Sequence, residues 1–192
     1  QNPAYAAGAS GDANVFPSTQ PIFYRRDRVE LLDQGWFFFS DTPDVIYART
    51  FNGSWPAFAS WAEFAVDGER LRVVNVHNDY ASRSNRLQSS ELIAARIRPW
   101  LDAGERVMVV GDFNAIRSGA PLRIVADAGI TFAPTRGATY HLNRGIGLFG
   151  AIDHLGTSEG VRLVGETQVL RGLFDGGWPS DHYPVVGDFV VE

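Results

Sequence analysis

The sequence has no cysteine, which excludes thiol catalysis, disulfides and thiolate metal sites and leaves the redox compartment undetermined. It has no lysine either, since all 17 basic residues are arginine. Schiff-base chemistry and a lysine general base are therefore out, whereas the planar arginine fork suits phosphate or carboxylate. Positive charge is in short supply: a net charge of −5 and a pI near 5.3 disfavour a basic face that grips long nucleic acid. A local phosphate groove built from Arg83, Arg86, Arg136, Arg144 and Arg171 stays open. No uninterrupted apolar run is long enough to cross a bilayer and no basic-then-apolar leader opens the chain, so the chain reads as soluble. The opening Gln1-Asn2-Pro3 lacks an initiator methionine, which fits processing or a fragment boundary.

What remains is an ordinary globular composition. At 192 residues, 45% hydrophobic and 20% charged, the chain suits one domain with a full core. Residues 1–20, rich in Ala, Gly, Ser and Asn with Pro3 and Pro17, carry no period and read as an arm or loop; residues 21–192 read as the domain. Ile22 to Tyr24 and Val29 to Leu32 read as short strands around Arg25 to Arg28, followed by the aromatic run Trp36 to Phe39, which reads as core. Trp61 to Val66 and Leu71 to Val76 flank Asp67-Gly68, a strong hairpin signal because both residue types tolerate positive φ. Ser84 looks like a helix N-cap, with Leu87, Glu91, Ala94 and Ile97 at helical spacing up to Pro99. Val107 to Val110 is short, apolar and β-branched, a strand buried on both faces. A helix at Ala120 to Ala128 and strands at Ile152 to Leu155, Val161 to Val169 and Val185 to Val190 complete the reading.

Three polar motifs interrupt these apolar segments. Asn75-Val76-His77-Asn78-Asp79 places Asn75, His77 and Asp79 on one face by the two-residue period of a strand. Gly111-Asp112-Phe113-Asn114 follows a buried strand, so Asp112 can bind a metal or orient water while Asn114 donates to a phosphoryl oxygen. Taken alone it also suits a turn in which both side chains cap backbone amides. Ser180-Asp181-His182-Tyr183-Pro184 puts a candidate metal ligand, Asp181, beside a candidate base, His182. Adjacent strand residues face opposite ways, so both can serve one site only if the chain bends there. A surface turn with a hydrogen-bonded histidine is the plain alternative. Only four histidines exist, and two of them sit in these motifs. Asp153 is placed to orient His182 as a buried carboxylate fixes a catalytic imidazole. His154 reads better as a structural histidine, His141 as a weaker candidate for substrate contact or simply exposed, and Trp178 as a loop aromatic that can stack on substrate.

The order of these motifs, with Ile152-Asp153-His154-Leu155 between the last two, resembles the endonuclease/exonuclease/phosphatase superfamily, over essentially Pro21 to Val190. Pro21 to Leu32 followed by Phe37 to Asp44 resembles its bacterial secreted or uncharacterised branch, which fits a secreted or periplasmic location. The resemblance implies an α/β (α+β) fold, a four-layer αββα sandwich of two mainly antiparallel sheets flanked by helices. It implies hydrolysis of phosphate esters with Mg2+ or Mn2+. His182 would be the general base and Asp153 its orienting partner. Asp181 and Asp112 would be metal ligands, Asp112 and Asn114 would position water and the phosphoryl group, and His77 would stabilise charge on phosphate. Oxygen ligands around a hard divalent cation fit magnesium chemistry on their own terms. One departure stands out. Family members open with a strand bearing a metal-site asparagine and a strand ending in Gln-Glu, and neither precedes Pro21. The chain therefore reads as lacking its N-terminal strands, roughly a third to a quarter of the usual domain. A second chain would then supply them, or they would be absent. A non-catalytic fragment or binding module is the alternative to a metal-dependent phosphodiesterase or phosphatase. A calcineurin-like metallohydrolase would need Asp-x-His near the start and an Asn-His-Glu or Asn-His-Asp triplet, and the chain has neither. Nuclease, small-molecule and lipid phosphodiesterase activities all stay open, with the acidic charge tilting away from long nucleic acid.

Overall fold

A computed structural model of the chain describes residues 2–9, 14–16, 20–147 and 149–192. In chain order the elements are β1 (Tyr5–Gly8), β2 (Ile22–Arg25), β3 (Glu30–Phe38), β4 (Phe58–Val66), β5 (Glu69–His77), α1 (Arg83–Asp102), β6 (Arg106–Asp112), α2 (Ala120–Asp127), β7 (Thr131–Phe132), β8 (Asp153–Thr157), β9 (Val161–Val169) and β10 (Val185–Val191). Six strands form one mixed sheet in the order β3-β4-β5-β6-β8-β7, and β1-β2 and β9-β10 form two-stranded antiparallel sheets. Only the β5–β6 pair in the large sheet is parallel, with α1 spanning the connection between them.

The β4–β5 hairpin turns at Asp67 and Gly68, whose φ values of 50° and 91° are the positive pair that a tight two-residue turn requires. Along both strands alternate residues part company. Trp61, Val74 and Val76, with Val107, Val109 and Phe113 from β6 and its end, face Ile93, Ile97, Leu122 and Val125 of the two helices. On the other face Leu71 and Met108 meet Val161 of β9, with Phe189 and Val191 of β10 packed alongside. Tyr24 of β2 packs at a tilt on Phe64 of β4, ring centroids 5.1 Å apart, so the β1–β2 pair covers another part of that second face. The result is the mixed α/β fold expected from the motifs, with a large central sheet and few helices. Among the described residues both helices lie on one face, and a second helical layer is not among them.

Several boundaries differ from expectation. Residues 5–8 of the expected arm form β1, because the Ala-rich segment finds a full antiparallel register, from Tyr5–Arg25 to Gly8–Ile22. Positions 1, 10–13 and 17–19 of that arm lie outside the described residues. The segments read as Val29 to Leu32 and Trp36 to Phe39 form one strand whose register slips between Leu31 and Asp33. The cap of α1 is Ser82 rather than Ser84, its hydroxyl accepting from Asn85 N. The helix runs past Pro99 to Asp102, the proline forgoing its own N–H bond to the Ala95 carbonyl one turn back while the residues after it stay helical.

Candidate active site

Register assembles the site. His77 pairs with Asp112 across the parallel β5–β6 ladder, and Asp112 pairs with Asp153 across the antiparallel β6–β8 ladder. Paired residues share a face, so three motifs far apart in sequence become one polar row on the face away from the helices. Close approach is needed where β6 ends: a Cβ on Gly111, at φ 124°, would lie 2.1 Å from the Val76 carbonyl oxygen. Just beyond, Asn114 takes φ 47°, a left-handed turn that asparagine tolerates.

His182 comes from the opposite direction. A bend at Ser180 and Asp181, then an isolated bridge between His182 and Tyr140, brings the imidazole over the row. This is the bend required for Asp181 and His182 to serve one site, and both line the same cavity of about 620 Å3 with His77, Asp112, Asn114 and Asp153. His182 Nδ1 lies 2.8 Å from Asp153 Oδ2, while Nε2 lies 3.9 Å from Asp112 Oδ2. The Asp153 hydrogen bond, against the opposing effect of burial, raises the His182 pKa above its ordinary value. Asp153 is itself fixed by Thr139, whose hydroxyl accepts from the backbone N–H groups of Ile152 and Asp153 at 3.0 and 3.2 Å.

Asp112 is the charge centre. Burial, with Asp153 and Asp181 nearby, pushes its carboxyl up to about 7, while the Asn114 N–H and His182 pull it down. Two carboxylates directly opposed across a ladder repel, and a cation between them relieves that. Asp112, Asp153 and His182 each offer a ligand atom within 4.8 Å of the others. Asp153 and His182 already satisfy each other, which leaves Asp112 as the donor most in need of a positive partner. His77 Nε2 is 3.6 Å from Asp112 Oδ2, and burial lowers its pKa. Its ring lies 5.0 Å from that of Trp55, which limits its rotation.

Asn114 differs in detail from the sequence reading. Its Nδ2 donates to Asn78 O at 2.8 Å and to Asp112 Oδ2 at 3.1 Å, so both amide hydrogens are committed. Donation to a phosphoryl oxygen requires Asp112 to release one of them. Asp79 is not in the row, since β5 ends at His77 and Asp79 turns inward. There burial raises its pKa, but hydrogen bonds from Ser54, Ser82 and Ala81 outweigh that and lower it. Asp79 therefore ties the 54 loop to the start of α1.

The structure does not bring His141 or Trp178 to the cavity. His141 is fully buried, stacked on Tyr183 at 4.0 Å with Trp178 at 5.0 Å, because the loops at 139–141 and 181–183 pair through backbone bonds that turn its ring inward. His154 is also buried, with Nε2 2.9 Å from the Ala115 carbonyl oxygen. None of the arginines considered for a phosphate groove lines the cavity; Arg86 bonds the Asp79 and Tyr80 carbonyls, and Arg171 lies over Tyr183. Sequence reasoning missed two rim tyrosines, Tyr80 and Tyr140, the latter 5.0 Å from the His182 ring. Tyr80 directly follows the first motif, a signal available in the sequence; Tyr140 had none beyond its place before His141.

The chain has counterparts in family and fold among known proteins. Residues 15–182 match the model of the Endonuclease/Exonuclease/phosphatase family. A mannosyl-6-phosphatase from Bacteroides thetaiotaomicron VPI-5482 superposes with a TM-score of 0.83 at 21% identity, over 98% of this chain and 78% of that one. An endonuclease/exonuclease/phosphatase from Bacteroides vulgatus gives 0.83 at 23% identity, over 99% and 77%. The catalytic domain of human Nocturnin with bound sulfate gives 0.63 at 15% identity, over 98% and 73%. At such identities the likeness is one of fold. A search of curated protein sequences finds no match.

Proposed function

Because the chain belongs to the endonuclease/exonuclease/phosphatase family, a family of phosphoesterases, we propose that it hydrolyses phosphate esters with a water activated by His182 in the presence of Mg2+ or Mn2+. The observation that carries the reading is the His182 Nδ1 to Asp153 Oδ2 contact of 2.8 Å beside the Asp112 carboxylate. Asp153 accepts the Nδ1 proton and so leaves Nε2 as the basic nitrogen, directed to the cavity side where Asp112 lies. His182 Nε2 takes the proton of the attacking water. His77, half exposed beside Asp112, donates to a phosphoryl oxygen, and Asn114 does so once Asp112 turns from it.

Asp112 and Asp181 are the residues that would hold the cation, since the oxygen-rich donor set and the raised Asp112 pKa both fit a hard divalent ion. When bound, such an ion supplies Lewis-acid polarisation of a phosphoryl oxygen. The chain's own contribution is to orient the water and hold the Nδ1 proton on the Asp153 side, with Tyr80 and Tyr140 on the cavity rim. A cavity of about 620 Å3 with no arginine in its lining, in a chain of net charge −5, supports a small or lipid-like phosphoester over long duplex nucleic acid. No helix among the described residues is long and apolar enough to cross a membrane.

The test is hydrolysis of a panel of phosphomonoesters and phosphodiesters with Mg2+, with and without a chelator. Expected is metal-dependent turnover that disappears in His182→Ala; undiminished turnover in that variant would overturn the mechanism. A second reading, a non-catalytic module that keeps the scaffold, has one observation in its favour: no glutamate lines the cavity among the described residues. Calorimetry with Mg2+ separates the two, because tight binding together with turnover rejects the second.

A further inference from the structure

A second large cavity lies behind the catalytic row. Strand alternation sends Asp153 to the polar face of β8 and His154 to the helix face. There His154 lines a space of about 800 Å3 bordered by α2, β7 and the chain at 116–118 and 150–151. None of its lining residues belongs to the catalytic cavity.

The chemistry of this space is one-sided. His154 is 1% exposed, and its Nε2 is 2.9 Å from the Ala115 carbonyl oxygen. A carbonyl only accepts, so Nε2 carries the proton and Nδ1 is left as a lone-pair acceptor. No donor reaches that Nδ1, since the further backbone group acting on the ring is the Ala151 carbonyl, itself an acceptor, and the buried Thr135 Oγ1 on the same wall likewise makes no hydrogen bond. A buried acceptor without a donor is costly, so a group that supplies one gains affinity by entering. At the mouth stand two arginines. Arg117 donates to the Phe132 carbonyl at 3.1 Å and Arg123 to that of Ser118, yet neither has a carboxylate at ion-pair distance among the described residues. Between mouth and floor the wall is apolar: Leu122, Ile130 and Phe132.

We infer that this cavity binds a small organic anion, its apolar ring against Leu122, Ile130 and Phe132, its carboxylate or phosphate at Arg117 and Arg123, and an O–H or N–H donating to His154 Nδ1. The guanidinium forks supply the anion contact, the neutral imidazole reads the donor, and the apolar wall selects a ring over a free inorganic ion. The site is independent of phosphate-ester hydrolysis. It stands or falls whether or not the catalytic cavity turns over substrate.

The test uses the full chain labelled with 15N at histidine and titrated with 4-hydroxybenzoate, which is not a phosphate ester and so is no substrate for the catalytic row. Expected is a saturable shift of the His154 Nδ1 resonance in the direction of hydrogen-bond acceptance, with His77 and His182 unmoved. Benzoate, which lacks the hydroxyl donor, is expected to bind more weakly. The exposed pair Arg117→Gln and Arg123→Gln, checked for native near-UV circular dichroism, is expected to weaken binding by about tenfold or more. Inorganic phosphate at equal concentration is expected to leave the probe in place, and phosphate that displaces it would overturn the part given to the apolar wall. The inference is overturned by no saturable change at His154 at millimolar probe, by shifts confined to His77 and His182, or by binding that the double substitution leaves intact.

Discussion

The two faces of one strand pair, β6 and β8, carry opposite chemistry one residue apart. Asp112 and Asp153 stand on one face, in a polar cavity where carboxylates are held close together; Phe113 and His154 stand on the other, inside the helix-covered core, with their rings 6.0 Å apart. The histidines divide in the same way. His77 and His182 are partly exposed and meet carboxylates, whereas His141 and His154 are buried and meet aromatic rings and carbonyls. Residue type alone does not make a reactive group; the parity of its position on the strand and the charge opposite it do.

The contrast is broken most severely by His182→Ala, expected to lower kcat by roughly 100- to 10,000-fold with little loss of stability, since one general base is removed from a partly exposed position. Steady-state kinetics beside a thermal melt checks this. Asp153→Asn is expected to lower kcat over a similar but smaller range, because an amide no longer fixes the Nδ1 proton. It also carries a pH signature. His182 must be neutral to act, and Asp153 raises its pKa. The acid limb of the kcat/KM profile should therefore move to lower pH in the variant, and a limb that stays in place would separate Asp153 from the base.

On the opposite face the effects reverse. Ile93, fully buried against the sheet, is expected on truncation to alanine to cost about 2–5 kcal/mol in denaturant unfolding while kcat per folded molecule stays near that of the native chain. The smallest effect sharpens the comparison. Asp112 has a folded pKa raised to about 7, so its contribution to stability is full below the ordinary aspartate value and is lost as pH rises towards 7. Without divalent metal, Asp112→Asn is then expected to stabilise the protein near neutral pH by roughly 1–3 kcal/mol and to make no difference near pH 4. Melts of both proteins across that range, in chelator, read it directly.

Much of this was legible in the sequence because it is carried by local signals. Asp67-Gly68 announced the hairpin, the apolar Val107 to Val110 announced a central strand, and the motif order announced the family. Six of the cavity's polar residues, His77, Asp112, Asn114, Asp153, Asp181 and His182, were legible too, but their geometry was not. That His77, Asp112 and Asp153 stand in one row follows from the β5–β6 and β6–β8 registers, which depend on tertiary pairing. Strand β1 was hidden for the same reason, since nothing in Tyr5–Gly8 shows that Ile22–Arg25 will pair with it. His141 was misleading because a histidine in a Gly- and Arg-rich loop reads as exposed, whereas stacking on Tyr183 and Trp178 buries it.

The most direct measurement is a 15N NMR titration of the His77 and His182 imidazoles in the native chain without metal. Asp153 should hold His182 above the ordinary histidine pKa with its proton on Nδ1, while burial should hold His77 below it. If His182 titrates at or below His77, or carries its neutral proton on Nε2, the role of Asp153 and of the whole row is contradicted.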